Sequence, residues 1–82
     1  MSEVGEAVIG VLADVLDTEI AAVTPDTEFS SLEDWDSMAA LEVLMQLESE
    51  LQLQLNLRNY NELRTVGDLI GLAEAELAGS DS

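Results

Sequence analysis

Val4, Ala7, Val8, Val11, Leu12 and Val15 fall at i, i+3, i+4, i+7, i+8 and i+11, the stripe of one amphipathic helix face. The stripe predicts a helix from Glu3 to Leu16, with Ser2 as N-cap and Glu3 and Glu6 at the positive end of the dipole. Gly5 and Gly10 weaken it by up to about 1 kcal/mol each relative to alanine where exposed. The same spacing returns twice. From Ser37 to Leu51, Leu44, Leu47 and Leu51, with Val43 or Ala40 alongside, supply a buried stripe. Met38, Leu41 and Met45 form a second apolar row beside it. Near the end, Val66, Leu69, Ile70, Ala73 and Leu77 make a third stripe, opened by Thr65 with Asp68 in a capping-box-like T-x-x-D pattern.

The segments between carry other patterns. Asp17 to Asp36 is a long connection with Ile20, Val23, Phe29 and Leu32 as isolated apolar anchors, which predicts that it packs across the bundle. Thr24-Pro25-Asp26 reads as a capped turn with proline at a favoured first helical position. Leu53, Leu55 and Leu57 alternate as a strand would, but a lone strand has no partner, so Gln52–Leu57 is expected to be an extended connection. A short helix over Arg58–Glu62 then turns Tyr60 and Leu63 inward. The expected fold is all-α: a small four-helix bundle, three longer helices and one short, with a long loop between helices 1 and 2.

Size and composition narrow what such a bundle can do. A chain of 82 residues holds one domain and one core, with no room for a catalytic domain beside it. It has no cysteine and no histidine, which removes disulfides, thiolate metal sites, the usual zinc ligand and the usual general base. Eighteen acidic residues face two basic ones, for a net charge of −16. That charge argues against nucleic acid and anionic membrane as partners and favours proteins with basic docking surfaces. The apolar run Val8–Ala13 is flanked by Glu3, Glu6 and Asp14, so it reads neither as a signal peptide nor as a membrane span. The expected location is the cytoplasm, and the expected state a monomer.

Chemistry concentrates at Trp35-Asp36-Ser37-Met38. Asp36 can cap the second helix by accepting from its first N–H groups, and Ser37 then stands at the positive end of the dipole, where a phosphoryl group is tolerated. Without a histidine to activate it, Ser37 is better suited to accept a modification than to act as a nucleophilic catalyst.

Phe29, Leu32, Asp36-Ser37-Met38, Leu41-Glu42 and Leu47-Glu48 together resemble the signature of the acyl carrier protein family. Val23-Thr24-Pro25-Asp26 resembles that family's loop turn, and Arg64-Thr65-Val66-Gly67-Asp68-Leu69 resembles the start of its last helix. The resemblance covers nearly the whole chain. It implies an acyl-carrier-like domain over residues 1–78, a disordered tail over 79–82, and a freestanding polypeptide. It also implies that a phosphopantetheinyl transferase attaches phosphopantetheine, from coenzyme A, to Ser37. Cargo would then ride as a thioester, brought by an acyl- or aminoacyl-loading enzyme and passed to a downstream acyltransferase or synthase. The carrier itself would catalyse nothing.

By the same resemblance the second helix is the recognition surface. Glu42 and Glu48 would meet basic side chains, Met38, Leu41 and Met45 would give adaptable apolar contacts, and Trp35 would sit in the core or at the interface. Met38 stands where the family has leucine, a volume-conserving exchange. Trp35 stands where fatty-acid carriers often have a small residue, and the Gly-Gly-His-Ser style of peptidyl carriers is absent. These departures point to a natural-product pathway, polyketide or aminoacyl, rather than general fatty-acid synthesis.

Two other readings compete. An acidic loop with Asp26, Glu33, Asp34 and Asp36 suggests a calcium module, but counted from Asp34 the sixth position is Ala39 and the twelfth Met45, where an EF-hand needs glycine and glutamate. An unmodified acidic adaptor would use the same helix face on basic partner proteins without needing Ser37.

Overall fold

The computed structural model describes residues 3–32 and 35–79. Along these run four α-helices: α1 Glu3–Val15, α2 Ser37–Leu51, α3 Leu57–Asn61 and α4 Val66–Gly79. Single 3₁₀ turns lie at Ile20–Ala22 and Phe29–Ser31 within the long first connection. The all-α bundle expected from the stripes is the fold observed.

The largest fully buried side chains come in pairs: Val8 and Leu12 of α1, Val43 and Leu47 of α2, Val66 and Leu69 of α4. Each pair is spaced i, i+3 or i, i+4, so both members project from one side of their helix. Burying each side chain stabilises the fold by about 1.5–3 kcal/mol before chain entropy is counted. Ile9 and Ala13 are also buried, although they lie off the predicted stripe. The reason is that α1 packs against both α2 and α4, which widens its covered arc. Ala40, Leu51, Ile70 and Leu77, predicted inward, are half-buried at the margins.

Helix α1 ends at Val15, one residue before the predicted Leu16. Asp17 takes a left-handed conformation (φ 53°), Thr18 N–H reaches back to the Ala13 carbonyl (2.9 Å), and Asp17 N–H to that of Asp14 (3.3 Å). This is the Schellman closure, here without glycine. Gln52 (φ 52°) closes α2 in a similar way, with Leu53 N–H on the Glu48 carbonyl (3.2 Å). The N-cap expected at Ser2 lies outside the described residues. So do residues 80–82 of the predicted tail, whereas Gly79 closes α4.

The long connection is stapled to the start of α4. Phe29 N–H donates to the Arg64 carbonyl (2.9 Å), Val66 N–H to that of Thr27 (2.9 Å) and Gly67 N–H to that of Pro25 (2.8 Å). Glycine suits position 67 by proximity, since a Cβ there would lie 3.0 Å from the Pro25 oxygen, a tight contact that the turn would have to give to accommodate. Pro25 sits in a tight turn closed by Thr27 N–H on the Thr24 carbonyl (3.0 Å), so no helix follows it. Val23 and Phe29 are buried and Leu32 half-buried, as anchors should be. Ile20 is not an anchor: it is 65% exposed on a surface 3₁₀ turn, and Val23, leaving that turn in extended conformation, reaches the core instead.

The connection expected over Gln52–Leu57 is shorter, residues 53–56, since left-handed Gln52 closes α2; it forms no strand. Leu53 and Leu55 are buried, but Leu57, the third alternate residue, starts α3 and is exposed. None of the described helices is long and apolar enough to cross a membrane.

Candidate functional site

Helix α2 begins where the sequence placed it. Asp36 has extended backbone, and its Oδ1 accepts the Ala39 N–H (2.8 Å) while its carbonyl accepts that of Ala40 (2.9 Å). Ser37 is the first helical residue and is exposed. N–H groups of a first turn have no intrahelical acceptor, so the hydroxyl sits in a field that favours negative charge.

Aromatic side chains wall a space at this turn. Trp35 stacks on Phe29, ring centroids 4.5 Å apart and planes 19° from parallel. Trp35 is half-buried against the core, so its ring is packed with one part left to solvent. Tyr60, buried on α3, donates its hydroxyl to the Ala40 carbonyl. Burial pushes its phenol far above the ordinary tyrosine range, which keeps it a donor throughout the physiological pH range. Between the walls lies a crevice of about 100 Å³ lined by Phe29, Trp35, Ala40, Tyr60, Asn61 and Leu63. The chain has one phenylalanine, one tryptophan and one tyrosine, and all three line it.

The predicted partner face of α2 is open. Met38 is 74% exposed, Leu41 53% and Met45 60%, with Glu42 exposed among them. Glu48 is only half-exposed, and its Oε2 accepts the Leu55 N–H (3.1 Å), so that carboxylate already holds the connection leading to α3. Of the acidic loop residues, Glu33 and Asp34 lie outside the described residues.

Sequence reading missed the Tyr60–Ala40 bond and the Glu48 anchor. Nothing in the spacing of Phe29, Trp35 and Tyr60 said that they meet.

A family model described as "Phosphopantetheine attachment site" matches residues 6–73. Two acyl carrier proteins, from Porphyromonas gingivalis strains ATCC 33277 and W83, are each 35% identical over 77 residues, covering 94% of this chain and 99% of theirs. This chain belongs to the acyl carrier protein family. The carrier is also similar to the solution NMR structure of the holo acyl carrier protein from Geobacter metallireducens. The TM-score is 0.82 at 24% identity, over 96% of this chain and 91% of that one, and it supports the bundle fold.

Members of this family are carriers and not catalysts, and their cofactor is covalent phosphopantetheine. The residues present fit that group: an exposed hydroxyl at a capped helix start accommodates a phosphodiester without a buried charge. When bound, the arm supplies a thiol that holds acyl cargo as a thioester.

Proposed function

We propose that Ser37 is the attachment residue and that the carrier presents acyl or aminoacyl cargo to the enzymes of a polyketide, aminoacyl or related pathway. The observation that carries this is the exposed Ser37 at the Asp36-capped start of α2. In the transfer, Ser37 Oγ bonds to the phosphorus of coenzyme A that bears the pantetheine. The phosphorus–oxygen bond to the other phosphate breaks, and adenosine bisphosphate leaves with the electron pair. The hydroxyl proton passes to a base on the transferase, because this chain has no histidine to take it.

Around Ser37, Met38, Leu41, Glu42 and Met45 meet the basic docking surfaces of the transferase, the loading enzyme and the downstream acyltransferase or synthase. Methionine adapts to differently shaped partners, and the acidic surround speeds encounter with basic ones. The charge of −16 keeps the carrier, a cytoplasmic monomer in this reading, away from nucleic acid and anionic lipid. Half-buried Trp35 beside the attachment residue supports a specialised pathway over general fatty-acid synthesis.

Radiolabelled aminoacyl and acyl donors, each with its loading enzyme, test this on the holo protein. Label should be retained by wild type, released by neutral hydroxylamine and absent from Ser37→Ala. Label retained by Ser37→Ala, or loading only by long-chain fatty acyl donors, would contradict the reading.

A further inference from the structure

Ala40 lies in the first turn of α2, and its carbonyl has two lone pairs, of which a regular helix uses one for the Leu44 N–H. Tyr60 supplies a second donor from outside the helix, twenty residues away in sequence. Helix α3 has five residues and cannot hold its place by helix propensity alone. Its position is imposed. Asn56 Oδ1 accepts the Arg58 N–H (2.9 Å) and the Asn59 N–H (3.2 Å), and Glu48 Oε2 holds Leu55 just before that cap. The Tyr60 hydroxyl is therefore delivered to Ala40 by a chain of bonds that begins on α2 itself.

The rest of the crevice is pinned independently. Phe29 is fixed by its N–H on the Arg64 carbonyl, and Trp35, two residues before Ser37, stacks on it. Ser37 itself is exposed.

We propose that Tyr60 is a positioning residue for phosphopantetheine transfer, holding the first turn of α2 through its bond to Ala40 so that Ser37 is presented in one geometry. This rests on Ser37 being the attachment residue. A transferase binds the ordered turn, so loosening the turn lowers the competent fraction and raises the apparent dissociation constant in proportion. The chemistry in the bound complex is unaffected.

Transfer kinetics with coenzyme A, Mg²⁺ and a broad-specificity transferase test this on wild type, Tyr60→Phe and Leu63→Ala. Leu63 lines the same crevice but makes no bond to α2 through a polar atom, so Leu63→Ala removes packing and leaves the tether. Tyr60→Phe should raise KM for the carrier measurably, by up to about tenfold, the full worth of one neutral hydrogen bond, with kcat unchanged. Leu63→Ala should lower the melting temperature and leave KM within error. Amide exchange at Leu44 should quicken in Tyr60→Phe while exchange at Leu69 stays as in wild type.

An unchanged KM in Tyr60→Phe, or an equal rise in Leu63→Ala, would overturn the proposal. Failure of wild type to be modified, or modification of Ser37→Ala, would instead overturn the attachment reading beneath it.

Discussion

Asp36 holds two N–H groups of α2 at once, one through Oδ1 and one through its carbonyl, and both bonds serve the turn that presents Ser37. Its side-chain bond is an N-cap, which alanine cannot make and asparagine can. Asp36→Ala should therefore lower stability by about 0.5–2 kcal/mol in urea unfolding. Asp36→Asn should keep wild-type stability; if its modification is nevertheless slower, the carboxylate charge also meets the transferase. Equal destabilisation by both variants would contradict the capping role. The residue scale was legible where a side chain acts on near neighbours. Asp36, Thr65 and Asp68 were readable as caps because the N–H groups they accept from lie within about one turn. Tyr60 was not, since its partner is twenty residues away. Asn56, which caps α3, was passed over, and that helix starts at Leu57 rather than the predicted Arg58.

Helix α2 was readable to the residue, from Ser37 to Leu51, because a cap and a leucine stripe agree on it. The start of α4 shows the same agreement and has a pH signature. Asp68 Oδ2 accepts the Thr65 N–H (3.2 Å) and the Arg64 N–H (3.3 Å), and Thr65 Oγ1 accepts the Asp68 N–H (3.1 Å). The Thr65 and then the Arg64 backbone bonds hold the Asp68 carboxyl below the ordinary aspartate range. A carboxyl depressed in the folded state contributes stability that is full above its unfolded pKa, about 3.9, and is lost as pH falls through the folded value. The stability gap between wild type and Asp68→Asn should be constant above about pH 5 and close below about pH 4. A gap that grows on acidification would contradict this assignment. The hydrogen bonds that fix the long connection to α4 could not be read from period or propensity. They pair Pro25, Thr27 and Phe29 with Arg64, Val66 and Gly67 across some forty residues. The same blindness let Ile20 pass for an anchor: an isolated apolar residue has no periodicity to say which way it faces.

Over the whole molecule, charge opposes what the apolar pairs of α1, α2 and α4 hold together. With eighteen acidic side chains against two basic ones, self-repulsion should cost most at low ionic strength. Added salt, and millimolar Mg²⁺ more efficiently, should raise the melting temperature. A flat melting temperature across that titration would mean that repulsion is not limiting. Fold class was legible at this scale because three stripes and one short helix leave few arrangements for 82 residues. The meeting of Phe29, Trp35 and Tyr60 around Ala40 was not, because it depends on how three separate elements dock. On the proposed reading, this bundle holds one modified serine, Ser37. Intact-protein mass tests it most directly, after incubation with coenzyme A, Mg²⁺ and a broad-specificity transferase, with Ser37→Ala alongside. Wild type should gain one phosphopantetheine and Ser37→Ala none. No gain in folded wild type, with a control carrier modified in the same tube, would contradict it.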